Sequence, residues 1–297
     1  MSATQPSWDL YRTFLAVLDE GSLSGAARVL ALTQPTVARH LETLEAALGF
    51  ELFVRSQRGL SPTEAALELR PYAQTLAATA AAMLRTASGH GAAVKGAVRI
   101  AASEVVGVEV LPPILTALRE AHPALVIELV VSNAIENLLR RDADIAVRMV
   151  EPVQEALVVK RVGAITLGLH AHRRYLDRHG VPESLAALRE HSVIGFDRET
   201  AAIRAMLQRA PHIDTTRFAL RADSDLAQLA AIRAGFGIGL CQAALARRDP
   251  NLAPVLPDAF AVPLATWVVM HENLRSTPRY RAVFDALTDG LRQYADA

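Results

Sequence analysis

The sequence has a single cysteine, Cys241, so an intrachain disulfide cannot form and a Cys-rich metal site is excluded. Lysine is nearly as scarce: Lys95 and Lys160 stand alone among 31 basic residues, and all the others are arginine. Net charge is missing too, because 31 acidic side chains cancel the 31 basic ones. That balance excludes a protein that coats nucleic acid by bulk positive charge, but not one that reads DNA through a small surface. The longest Ala-rich apolar run, 76–84, is short and contains Thr79, so no membrane span is expected. The opening MSATQPSWDLYRTF lacks the basic-then-apolar order of a secretory signal, and a cytoplasmic chain is expected. No Gly-rich phosphate loop, nucleophile-elbow motif or fixed-period repeat occurs. With no catalytic constellation, the expectation is a protein that is not an enzyme and uses no cofactor or metal.

What the sequence does contain is a globular composition: 297 residues, 51% hydrophobic and 21% charged, about two domains by length. Leu10, Phe14, Val17 and Leu18 recur at helical spacing, and Gly21 follows as a stop. Ser22 or Ser24 caps a second helix with Ala26, Ala27 and Leu30 inward. Thr33 caps a third, with Gln34 and Pro35 in its first turn. Val37, Leu41 and Leu44 form its inner stripe and leave Gln34, Thr36, Arg39, His40 and Thr43 on other faces. Two helices joined by so short a turn, the second bearing a polar, arginine-containing first half, make a helix-turn-helix pattern. Residues 52–61 then read as two short strands around the turn Ser56-Gln57-Arg58-Gly59, a wing carrying Arg55 and Arg58.

An Ala/Leu-rich helix covers about 63–87. It starts either at Ser61, with Pro62 in the first helical position, or at Thr63, and Pro71 should bend it. Its apolar Leu67, Leu76, Met83 and Leu84 suit pairing with a twin helix. After the break Ser88-Gly89-His90-Gly91, strands and helices alternate. Strands are expected at 98–102, 125–131 and 144–149, with helices at 111–118 and 135–139; a comparable unit follows at 192–196, 218–222, 226–234 and 238–240. A strand near 267–270 and an amphipathic helix at 277–294 close the chain.

Phe14-Leu15-Ala16-Val17, Gly21-Ser22-Leu23-Ser24, Ala26-Ala27 and Leu30 lead into Thr33-Gln34-Pro35-Thr36-Val37-Ala38-Arg39. Leu52-Phe53-Val54-Arg55, Arg58-Gly59-Leu60, Thr63-Glu64-Ala65 and Pro71-Tyr72-Ala73 continue the string. It resembles, nearly without gaps, the N-terminal module of LysR-type bacterial transcriptional regulators. The remainder resembles that family's effector domain, most clearly at Asp144-Ile145-Ala146-Val147-Arg148 and Ala234-Gly235-Phe236-Gly237-Ile238-Gly239. Ala66 replaces a usual glycine, and Cys241 stands where many members carry proline.

The resemblance implies an α+β two-part chain. Residues 1–62 would be a winged helix-turn-helix, 63–87 a linker and dimerisation helix, and 88–96 a hinge. Residues 97–297 would be an α/β effector domain built like a two-lobed periplasmic solute-binding protein, with lobe I at 97–163 and 264–297 and lobe II at 164–263. The implied partners are double-stranded operator DNA, a small-molecule effector, further copies in a homodimer or homotetramer, and RNA polymerase. The competing reading is a small-molecule sensor whose winged helix makes protein contacts.

The candidate DNA contacts are Thr33, Gln34, Pro35, Thr36 and Arg39 on the reader helix and Arg55 and Arg58 in the wing, with Ser22, Ser24 and Thr63 beside them. A helix N-terminus favours phosphate, glutamine can address adenine, and arginine can address guanine. For the effector, Ser103 and Ser132-Asn133 fall at the carboxyl ends of strands, where parallel α/β sheets bind ligands. Arg148 either neutralises an anionic effector or pairs with Asp142 or Asp144. By resemblance, Thr166, Phe196, Asp223, Ser224 and Asp225 complete the pocket. His170, His172 and His179 invite a metal reading, but flanking arginines and the lack of an acidic ligand favour a surface segment.

Overall fold

The computed structural model describes residues 5–56, 59–88, 94–133, 143–152, 157–200, 203–204 and 215–297; side chains at 55, 56, 59 and 85–88 are not described. Expectations for Gln57, Arg58, Asp142, residues 89–93 and the helix at 135–139 lie outside these residues. The chain divides into two compact units, the first ending at Leu84 and the second beginning at Arg85.

In the first unit, α1 (Trp8–Glu20) buries Leu10, Thr13, Phe14 and Val17 and stops at Gly21, whose φ of 65° suits a residue without a side chain. Helix α2 (Leu23–Leu30) starts from Ser22, which accepts the Gly25 N–H at 3.1 Å; this settles the choice of cap in favour of Ser22 over Ser24. Helix α3 (Gln34–Leu48) starts from Thr33, which accepts the Thr36 N–H. Its stripe of Val37, Leu41 and Leu44 is buried as expected. His40 is not an outward residue. Because the Thr13 hydroxyl donates to the Asp9 carbonyl, His40 Nδ1 donates to Thr13 Oγ1 at 2.9 Å and ties α3 to α1.

The wing is an antiparallel pair, β1 (Phe53–Ser56) and β2 (Gly59–Pro62), with Phe53 opposite Pro62. Glu45 of α3 anchors it by accepting from the Leu52 and Phe53 N–H groups. Pro62 therefore ends a strand rather than opening a helix. Thr63 is the cap of α4 (Glu64–Ser88), accepting from Ala66 N at 3.2 Å. Ala66 and Ala73 of α4 join the core of the first three helices, and Pro71 lies inside the helix.

The second unit is built on a seven-stranded sheet. Strands β3 (Gly96–Ala102), β4 (Leu125–Val131) and β5 (Ile145–Arg148) are mutually parallel in the order β4-β3-β5. Helix α5 (Leu111–Ala121), led in by a π-turn at Val106–Val110, connects the first two. Two strands the sequence did not delimit dominate the sheet. They are β6 (Leu157–His172) and β11 (Ala261–His271), antiparallel along their length, with a register shift at Thr266/Trp267 opposite Gly163. Gly163 takes a φ of 134° there.

Both strands run through the two lobes. The sheet runs from β4, β3 and β5, with α5, on the first-lobe side to β9 and β10, both paired to β6, on the second-lobe side. In the second lobe lie α6 (Arg173–His179), the parallel pair β7 (Ile194–Gly195) and β8 (Leu220–Arg221), and α7 (Asp225–Arg233). Strand β9 (Ile238–Gln242), α8 (Ala243–Ala246) and β10 (Leu252–Val255) follow. Helix α9 (Pro278–Asp296) closes the chain and packs Tyr280, Val283, Leu287 and Leu291 on the core formed with Val98, Ile100 and Val268. Among the described residues, no helix is long and apolar enough to cross a membrane.

Candidate DNA-reading helix and interlobe cleft

At the start of α3, Thr33, Gln34, Pro35 and Arg39 are exposed while the opposite stripe is buried. Thr33 spends its hydroxyl locally, on Thr36 N and on the Thr36 hydroxyl 2.8 Å away. Gln34 and Arg39 have no side-chain hydrogen bond or ion pair to another described residue, so both remain available to an outside partner. The free N–H groups of the helix start and these two exposed side chains are the kinds of group that suit phosphate and base edges. Ser22 is half-buried as a cap, and Ser24 is exposed in the first turn of α2. Arg55 has its backbone in β1, Arg58 lies outside the described residues, and Thr63 is occupied as the α4 cap and by the Glu51 and Leu52 carbonyls.

In the second unit the register fixes where the strand ends lie. Ala102 pairs with Val131, and Ala101 with Ala146, so Ser103, Ser132-Asn133 and Arg148 finish three adjacent parallel strands at one edge. Burial pushes the Arg148 guanidinium down to about 10, which leaves it charged at neutral pH. Asp144 accepts from the Arg99 N–H at 2.8 Å.

Across from this edge stands the N-terminus of α7, and polar groups bridge the lobes. The Ser224 hydroxyl caps α7 and donates to Glu104 Oε2 at 2.8 Å. Asn133 accepts from the Glu104 N–H and donates to Asp225 at 2.9 Å. Burial, reinforced by the nearby Glu104 charge, raises the Asp225 pKa, and the Asn133 bond only partly opposes this. Farther along, Arg233 holds Glu109 through two bonds of 2.7 and 2.9 Å. That pairing lowers the Glu109 pKa against the opposing pull of burial. Arg248 donates to the Glu109 carbonyl and lies over the Tyr294 ring, whose hydroxyl donates to Gln242 at 2.6 Å.

The structure therefore brings together Asn133, Ser224 and Asp225, with Asp223 beside them in an ion pair to Arg198. Phe196 sits edge-on to Phe218, just after β7. Thr166 is elsewhere: it lines a cavity of the second lobe that contains none of the other expected effector residues. Glu104, Glu109 and Arg233 were not singled out from sequence. The available signal was two glutamates in an otherwise apolar stretch directly after a strand end. His172 caps α6, His179 stacks on Tyr175, and among the described residues no metal-holding group forms. Burial pushes the Cys241 thiol up to about 11.

Residues 8–67 match the lysR-family bacterial regulatory helix-turn-helix protein, and residues 91–292 match the LysR substrate binding domain. The probable HTH-type transcriptional regulator LtrA of Klebsiella pneumoniae is 25% identical over 284 residues, 93% of this chain and 92% of that protein. The full-length Vibrio cholerae virulence activator AphB shares the fold with a TM-score of 0.63 at 22% identity, covering 95% of this chain and 99% of AphB. Full-length CbnR, solved in complex with its target DNA, shares it with a TM-score of 0.65 at 21% identity, covering 97% and 100%. The chain belongs to the LysR family of bacterial regulatory helix-turn-helix proteins, and is a DNA-binding transcriptional regulator that carries the family's substrate-binding domain.

Proposed function

We propose that this regulator reads a specific double-stranded operator as a cytoplasmic homodimer or homotetramer, and that a small-molecule effector bound between its α/β lobes controls it and its dealings with RNA polymerase. The observation that carries the DNA reading is the exposed start of α3, where Gln34 and Arg39 have no side-chain hydrogen bond or ion pair among the described residues. Thr33, Pro35, Thr36, Ser22, Ser24 and Thr63 position the backbone, and Arg55 and Arg58 of the wing reach phosphate or the minor groove. Two half-sites need two readers. Helix α4 supports that need, with Leu67, Tyr72, Leu76, Met83 and Leu84 exposed along it.

Ser103, Ser132, Asn133 and Arg148 would meet the effector from one lobe, and Phe196, Asp223, Ser224 and Asp225 from the other. Glu104 occupies the start of α7, so an effector offering its own acceptor there competes with an internal carboxylate. It shifts the lobes only to the extent that it binds one arrangement more tightly than the other. The test is a band-shift series against selected and random duplexes. Specific retention by the intact chain supports the proposal, and retention no better than on random duplex at physiological salt refutes it.

A further inference from the structure

The second lobe holds a cavity of about 310 Å³, the lower end of the range for small-molecule sites. It lies between β6, α8, β10 and the segment that enters β11, and Leu169, Pro254 and Phe260 give it apolar walls. Three polar side chains face it: Thr166, His170 and Arg247. Arg247 and Thr166 are exposed at the rim, whereas His170 is only 5% exposed.

The ring of His170 lies back over Gly168, where an added Cβ would meet Cε1 at 3.3 Å. Its Nδ1 is 3.0 Å from the Gly168 carbonyl. A carbonyl only accepts, so Nδ1 carries the proton and Nε2 presents a lone pair. Among the described residues Nε2 has no hydrogen-bond partner, and His170 lines the cavity. Burial, aided by the Arg247 charge and opposed by the carbonyl bond, holds the imidazole pKa below its ordinary value, and the ring is neutral.

We propose that this cavity binds a small, largely apolar carboxylate bearing a hydroxyl at its far end. The hydroxyl donates to His170 Nε2, the carboxylate pairs with Arg247 at the rim, and the body lies against Leu169, Pro254 and Phe260. A cation is repelled by Arg247, and a wholly apolar ligand leaves the buried acceptor unsatisfied. None of the residues that bridge the lobes lines this cavity, so the site is distinct from the interlobe cleft.

The test is calorimetric titration of the whole chain, without DNA, using 4-hydroxybenzoate as the probe. The expected result is one probe per chain, with benzoate and 4-hydroxybenzyl alcohol each binding roughly tenfold more weakly. His170→Phe and Arg247→Gln weaken the probe to a similar degree. His170→Gln, whose amide oxygen restores an acceptor, retains more affinity than His170→Phe, and Arg148→Gln in the interlobe cleft leaves it unchanged. The proposal is overturned by no binding at millimolar probe, by equal binding of benzoate, or by affinity that survives His170→Phe but falls with Arg148→Gln. If thermal melting shows that His170→Phe does not fold, the three-ligand series on the natural chain decides.

Discussion

Helices α3 and α7 begin alike and end up doing opposite things with their N-termini. Each is capped by a hydroxyl, Thr33 in one and Ser224 in the other, and each carries the positive end of its dipole there. At α3 no acidic side chain stands in the first turn, and Gln34 and Arg39 are exposed without a side-chain partner among the described residues. At α7 the same kind of end is already filled, because Glu104 arrives from a different lobe and Asp225 occupies the first helical position. An open helix end with placed polar groups is available to an outside anion. A filled one is a joint, which an outside ligand enters only by competing with the carboxylate in place.

The comparison breaks most visibly at Arg39. Arg39→Ala is expected to weaken binding to the preferred duplex by roughly 5- to 150-fold, the worth of a bidentate base contact, and to affect random duplex far less. Band-shift titration of both duplexes checks this, and an equal loss on both would reassign Arg39 to phosphate. On the filled side, Glu109→Gln and Arg233→Met should show a coupling of about 1 kcal/mol in a double-mutant cycle followed by urea unfolding of the second unit. The small figure reflects partly exposed side chains, 22% for Glu109 and 36% for Arg233. Uncoupled variants would remove this pair from the joint.

Caps sharpen the contrast further. Thr33→Ala should cost about 1 kcal/mol in its own unit, and Ser224→Ala should cost more because it also loses the Glu104 bond. Equal losses in chemical denaturation would mean that Glu104 contributes nothing to the joint. The smallest effect is one of pH. Asp225 has a folded pKa raised above its ordinary 3.8, so its contribution to stability is full below 3.8 and is lost as pH rises through the raised value. Asp225→Asn should therefore melt higher than the natural chain at pH 7 and lose that advantage below pH 3.8. Glu109, lowered from 4.5, runs the other way: its stabilisation is present above 4.5 and disappears as pH falls through the lowered value. A natural chain that melts higher than Asp225→Asn at pH 7 would contradict the account of the α7 end.

Much of this was legible in the sequence because local chemistry marks it. Gly21, Ser22 and Thr33 announce helix ends through capping that needs no distant partner, and the strand ends at Ala102 and Val131 read correctly from short apolar runs, while the strand expected at 144–149 is shorter by one residue at each end. Strand β6 was not legible, because burial does not alternate along its 16 residues and its pairing with β11 shifts register beside Gly163. The tie between His40 and Thr13 was not legible, because Thr13 sits on another helix 27 positions away. The joint was hidden for the same reason: Glu104 and Ser224 are 120 positions apart, and Glu109 and Arg233 are 124 apart. Thr166 was placed by resemblance alone, and the structure shows it lining the cavity that holds His170 and Arg247.

Residues 1–87 contain seven arginines, Arg12, Arg28, Arg39, Arg55, Arg58, Arg70 and Arg85, against eight carboxylates, so DNA binding has to come from placement rather than from surplus charge. The direct test is to select duplexes from a random pool with the intact chain, then titrate the enriched duplex and random duplex across salt concentrations. The account predicts that the enriched duplex binds at least about 10³-fold more tightly at physiological salt, with a shallow salt slope on random duplex. Equal affinities, or a steep slope on random duplex, would contradict it.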